Sequence, residues 1–193
     1  MNELISRKIQ LRKTLTHQRD LIKKNSKIEF NEDVFNKLKN FIDFKEIENV
    51  ASFISIRSEI STDDLNKKIL ELNKRLLFPV IKKNLDELVF KKSNLDNKFK
   101  IGKFNIPEPE SDGEALIPQL FFVPCLGFDL NGFRLGYGGG FYDKTFAKLK
   151  NLNLKFYAVG FAFDDQKQVK IPIESFDFKL DFVLTEKQLY TFL

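Results

Sequence analysis

Between Phe128 and Asp143, four of the five positions from 136 to 140 are glycine: Gly136, Gly138, Gly139 and Gly140. Glycines at this density leave backbone N–H groups open to close approach by an anion. A helix starting just beyond them adds a favourable dipole. Arg134, upstream, offers a guanidinium fork to a phosphate. Asp143, downstream, is a hard oxygen donor suited to a Mg²⁺ that bridges phosphates. The run is neither of the common phosphate loops: Asp143 precedes Lys144-Thr145 where the Walker pattern needs Gly, and Phe141 stands where the dinucleotide pattern needs its third glycine. A turn that uses glycine only for left-handed backbone is the competing reading. Phosphate binding is favoured over it, and the reaction stays open.

A second basic feature lies far upstream. Lys8 and Arg12 are one helical turn apart, so they share a face and repel unless an anion sits between them. Glu59 closes an apolar run and precedes a helix start. A carboxylate there can accept from polar N–H groups of a ligand or cap the helix.

These residues need positioning elements. Apolar spacing predicts helices over 3–24, 31–41 (with Val34, Phe35, Leu38 and Phe41 buried), 61–74 and 141–149. Short apolar, β-branched runs predict strands at 49–56, 76–81, 120–123 and 156–163, with an edge strand at 87–92. The polar, proline-bearing stretch 93–112 reads as a loop. This alternation predicts an α/β fold: one three-layer domain over 1–193, with a mostly parallel central sheet and helices on both faces. The glycine run then falls between strand and helix, where open α/β sheets bind ligands.

Composition narrows the classes. With 42% hydrophobic and 31% charged residues among 193, wholesale disorder is excluded. One cysteine, Cys125, and one histidine, His17, exclude a disulfide framework and a multi-histidine metal site. No apolar stretch suffices to span a bilayer, and basic residues interrupt the start of the chain, so a cytoplasmic protein without a membrane partner is expected. The net charge of +5 favours anionic ligands. Lysines alternate with acids rather than with exposed aromatics, so nucleic acid is not expected as a partner.

The long run Val123-Pro-Cys-Leu-Gly-Phe-Asp129, then Arg134-Leu-Gly-Tyr-Gly-Gly-Gly-Phe-Tyr-Asp143, resembles the 5-formyltetrahydrofolate cyclo-ligase (methenyltetrahydrofolate synthetase) family. Weaker matches follow in the family's order: Lys8 with Arg12, residues 58–62, Phe78-Pro79, residues 104–109 and 160–166, Ile171-Pro172, Asp177 and Asp181. The resemblance implies ATP- and Mg²⁺-dependent closure of 5-formyltetrahydrofolate to 5,10-methenyltetrahydrofolate, giving ADP and phosphate through a phosphorylated formyl group. It implies ATP contacts at Lys8, Arg12, Arg134 and Leu135, and along the loop Gly136, Tyr137, Gly138, Gly139, Gly140, Phe141 and Tyr142. Arg134 and Tyr142 take the catalytic places. Ile54, Glu59 and Phe104 match folate contacts, joined by Tyr137, Gly138, Gly139, Gly140 and Phe141. Asp143 and Asp177 match Mg²⁺ ligands. Phe141 stands where Tyr is frequent and Phe176 where many members carry His. The expected protein is a monomer acting on these two small molecules. The alternatives are another phosphate-binding α/β enzyme for a small anionic metabolite and a basic nucleic-acid-binding module.

Overall fold

Buried, β-branched and aromatic runs dominate the strands, and they assemble where neighbouring elements can cover both faces. In the computed structural model, which describes residues 3–25, 30–95, 98–110 and 114–193, the first strand is β1 (Asn49–Ala51). It lies between β2 (Arg75–Ile81) and β6 (Leu120–Pro124), parallel to both. The parallel set continues through β9 (Tyr157–Phe161) to β11 (Phe182–Leu184). Two antiparallel edges, β3 (Leu88–Lys92) and β12 (Leu189–Thr191), complete the order β12-β11-β9-β6-β1-β2-β3.

Helices cover both faces, as expected. On one, Val34 and Phe35 of α2 (Glu32–Asn36), with Leu65 and Ile69 of α3 (Asp63–Glu71), bury Val50, Phe78, Phe122 and Val159. On the other, Phe146 and Leu149 of α4 (Phe141–Asn151) pack with Leu77, Phe121 and Ala158. Phe121 has no exposure, and its ring meets Phe90, Phe146 and Phe156 edge-on at 5.2, 5.1 and 5.5 Å. The long helix α1 (Glu3–Asn25) is laid beside a smaller sheet rather than within a layer. That sheet holds β7 (Gly127–Asp129), β8 (Arg134–Leu135) and β10 (Lys167–Gln168). A Cβ on Gly127 would stand 2.7 Å from Leu15 Cδ1, so glycine here permits the helix to dock.

Several expectations need correction. Only 49–51 of the run 49–56 pairs as strand, and the helix expected to reach Lys74 ends at Glu71. The helix expected over 31–41 tightens to 3₁₀ over Lys37–Asn40, leaving Phe41 46% exposed. Thr62, the residue before α3, makes no side-chain cap hydrogen bond to the helix. Its hydroxyl donates to the Phe53 carbonyl at 2.7 Å, tying the helix start to the end of β1. The supposed loop 93–112 contains a hairpin, β4 (Phe99–Ile101) against β5 (Pro107–Pro109); of the rest, 96–97 and 111–112 lie outside the described residues. No helix among the described residues is long and apolar enough to cross a membrane.

Candidate active site

The parallel strands β1 and β6 run out at their carboxyl ends into residues 52–59 and Cys125, and β7–β8 then delivers the chain to the glycine loop and α4. The Asp129 carboxylate shapes this path by accepting from the amides of Asn131, Phe133 and Ile171 at 2.9, 3.1 and 2.9 Å. Tyr137, Gly138 and Gly139 are exposed, so the loop faces solvent at the amino end of α4.

α1 packs against this loop with a polar stripe. Its buried residues are Lys8, Leu15 and Arg19. Arg12 Nε donates to the Gly136 carbonyl at 2.9 Å, and its guanidinium carbon would lie 3.0 Å from a Cβ on Gly138. Gly138 has φ +98°, so backbone geometry and space both demand glycine. Lys8 Nζ reaches the other side of the site, 2.8 Å from Glu174 Oε2 and 2.5 Å from Asp177 Oδ2. The Phe176 ring lies 5.9 Å from the same ammonium.

Arg134 and Asp143 form a pair at 2.8 Å. Arg134 also donates to the Phe178 carbonyl at 3.0 Å, while Asp143 Oδ1 accepts from the Phe178 amide at 3.0 Å. Asp143 thus holds the amide of the residue that follows Asp177, 34 positions further along the chain. Asp143 commits Oδ1 and Asp177 commits Oδ2. Each keeps one oxygen free of hydrogen bonds among the described residues. Two hard carboxylate oxygens near the glycine loop are of the type that suits Mg²⁺, which usually takes one or two carboxylates plus substrate oxygens. Among the described residues no group of three or more His, Cys, Asp or Glu is disposed to hold a metal alone.

Glu59 forms the opposite wall. It is 4% exposed, and its Oε2 accepts from the Ile56 amide at 2.9 Å. Burial raises its pKa above the ordinary value, against the Ile56 hydrogen bond and the Arg19 charge, which lower it. Tyr137 and Tyr142 are also raised, both chiefly by burial and then by the Glu59 charge. Tyr142 turns towards the core, its ring 5.9 Å from Phe146. Cys125 is buried and its thiol is pushed up to about 12 by desolvation, which suits a packing residue rather than a nucleophile.

Phe104 is 58% exposed. Its ring meets Phe141 at 6.2 Å, and Lys103 Nζ stands 5.2 Å from the Phe104 ring and 5.9 Å from that of Phe141. Leu135 and Ile54 pack against the apolar core. Sequence reasoning missed Arg19, Arg57, Glu174 and the Phe178 amide. Arg19 was findable: positions 8, 12, 15 and 19 fall on one helical face.

A glycine-rich loop at the carboxyl end of a largely parallel sheet, with Arg, Lys and carboxylates around it, is the arrangement of an α/β fold whose ligand site lies at the strand ends. The profile of the 5-formyltetrahydrofolate cyclo-ligase family matches residues 5–186, and the chain belongs to that family. Over 146 residues, 73% of this chain and 77% of the relative, it is 33% identical to 5-formyltetrahydrofolate cyclo-ligase of Haemophilus influenzae. The Escherichia coli (strain K12) cyclo-ligase is 31% identical over 146 residues, 73% of this chain and 79% of the relative. The NMR structure of Aquifex aeolicus 5,10-methenyltetrahydrofolate synthetase superposes with a TM-score of 0.75 at 29% identity, covering 96% of this chain and 92% of that one.

Proposed function

We propose that this enzyme converts 5-formyltetrahydrofolate to 5,10-methenyltetrahydrofolate, with ATP cleaved to ADP and phosphate. Family membership supports the folate chemistry. The observation that best supports the ATP half is Arg12 of α1 seated on the Gly136 carbonyl of the exposed glycine loop, into which Arg134 leads from β8. Triphosphate needs such positive surroundings.

In this reading the loop amides and Arg12 hold the phosphates, with Arg134 beside them as the fork that steadies charge on the transferring group. The formyl oxygen attacks the γ-phosphorus and the bond to ADP breaks, leaving a phosphorylated imidate at folate N5. The N10 lone pair then attacks the activated carbon, N10 loses its proton, and the C–O bond breaks to release phosphate. An amide oxygen is a poor leaving group until it is phosphorylated, which is why ATP is consumed. Phosphoryl transfer of this kind depends on positioning and charge neutralisation, not on a protein nucleophile. Mg²⁺, which neutralises phosphate charge, would be held by Asp143 and Asp177, with phosphate and water as its other ligands. Glu59 accepts from N–H groups of the pterin, Phe104, Phe141 and Tyr137 supply aromatic contact, and Tyr142 borders the site from α4.

The test is turnover by purified protein. 5-Formyltetrahydrofolate with ATP and Mg²⁺ gives stoichiometric ADP, phosphate and methenyltetrahydrofolate. Release of phosphate without folate, or folate closure without ATP, would overturn the reading.

A further inference from the structure

The largest fully buried side chain in the described structure is a cation. Arg19 is 1% exposed, yet it belongs to neither the nucleotide nor the metal assignments above. A buried guanidinium persists only where its donors are used, and here they span three segments. Nε donates to Ser58 Oγ at 3.2 Å, one Nη to the Cys125 carbonyl at 3.3 Å, and the other to the Tyr137 hydroxyl. The first of these Nη atoms stands 3.7 Å from Glu59 Oε1. The guanidinium also lies 5.5 Å from the Tyr137 ring, which Arg57 approaches at the same distance. Ser58 in turn donates to Asp20, the next residue of α1, which fixes the 57–59 turn to the helix from a second point.

We propose that Arg19 is the positioning residue of the folate wall, holding Glu59 ionised as an acceptor and fixing Tyr137 at the edge of the glycine loop. This rests on the reading of Glu59 as a folate contact. Arg19 shares α1 with Lys8 and Arg12, so one helix organises both substrate halves. The ionisable groups facing Glu59 are Arg19 from α1, Arg57 from its own turn, Tyr137 from the loop, Tyr142 from α4 and Cys125 after β6. Arg19 is the buried cation among them. Burial opposes ionisation of Glu59 and prevails, with the Ile56 amide and then the Arg19 charge, 3.7 Å from Oε1, acting against it.

Charge and fork can be separated by substitution. Arg19→Met removes both. Arg19→Lys keeps a charge but cannot reach Ser58, Cys125, Tyr137 and Glu59 together. The Glu59 carboxyl, followed by ¹³C NMR through a pH titration, reports without any substrate. Its midpoint rises by about one unit or more in Arg19→Met and stays near the parent value in Arg19→Lys. In turnover assays Arg19→Lys raises KM for 5-formyltetrahydrofolate about tenfold and leaves KM for ATP within about twofold. A residue that only filled space would lower stability without moving the midpoint. Unchanged midpoints in a folded Arg19→Met would overturn the proposal. If that variant does not fold, an unaltered folate KM in Arg19→Lys would do so. A midpoint that moves in a protein whose parent does not close 5-formyltetrahydrofolate would keep the role of Arg19 and refute the substrate.

Discussion

Asp143 shows how one carboxylate serves structure and chemistry together. Its Oδ1 carries the Arg134 pair and the Phe178 amide, while its other oxygen, free of hydrogen bonds among the described residues, is the one the proposed metal site would use. Asp143→Asn keeps a carbonyl for both donors, so the variant stays folded by circular dichroism. It loses most turnover, on the order of a hundredfold or more, together with the response to added Mg²⁺. Retained activity would remove Asp143 from the metal site. Glu59 makes a prediction in pH. Ionised, it accepts with both oxygens, whereas protonation turns one of them into a donor, and burial raises its pKa above the usual carboxylate value. Folate affinity therefore falls as pH drops through that raised value, at a pH higher than for an exposed glutamate. Glu59→Gln weakens folate binding about tenfold and flattens this acid limb, as titration calorimetry across pH will read. The candidate residues were legible in the chain by type, and the glycines, Arg134 and Asp143 lie close together between β8 and the start of α4. The partners of Lys8 were not, because Glu174 and Asp177 lie more than 160 positions away and only folding brings them close.

At the scale of elements, α1 is the least ordinary part. Apolar spacing in its sequence promised an amphipathic helix, yet Ile5, Ile9 and Leu21 are 40, 40 and 45% exposed while Lys8 and Arg19 are buried. The period is helical, but the buried face is cationic because it packs on the wall of a polar site. A hydrophobicity pattern cannot show that. The β7–β8 hairpin escaped for a different reason: strands of three and two residues are too short to show a period, and the Asp129 side chain supplies the turn. The helices α3 and α4 and the buried strands β2, β6 and β9 were legible because their faces pack on ordinary core. Combining Lys8→Ala with Arg12→Ala should raise the ATP KM about tenfold or more and the folate KM far less, since each lost ion pair or charged hydrogen bond is a large term at a buried contact. Equal changes for the two substrates would return both residues to a structural role. Gly138→Ala should behave similarly. It places a methyl group 3.0 Å from Arg12 Cζ on a backbone at φ +98°, so the loop must shift where it meets α1. ATP-dependent protection of the 136–140 amides against hydrogen exchange will read that shift.

The molecule as a whole divides stability from function. The sheet and its two covering layers rest on phenylalanine: Phe121 alone meets three other rings, and 22 Phe with no Trp supply the aromatic volume. Phe121→Ala leaves a cavity under α4 and should cost about 3–5 kcal/mol, read as a lower denaturant midpoint with an unchanged slope. The site lies at the carboxyl ends of the parallel strands, where the β1 and β6 extensions, α1 and the 174–178 turn converge. Stabilising pairs there, Arg134 with Asp143 and Lys8 with Asp177, join the groups assigned to phosphate and to metal. In the proposed reading, substrate binding exchanges partners within these two pairs. The most direct measurement follows the near-ultraviolet absorbance of methenyltetrahydrofolate after mixing the protein with 5-formyltetrahydrofolate, ATP and Mg²⁺. An ATP-dependent rise that chelation of Mg²⁺ abolishes is the predicted result. A flat trace from folded protein that still binds ATP would contradict the assignment of folate as the phosphoryl acceptor.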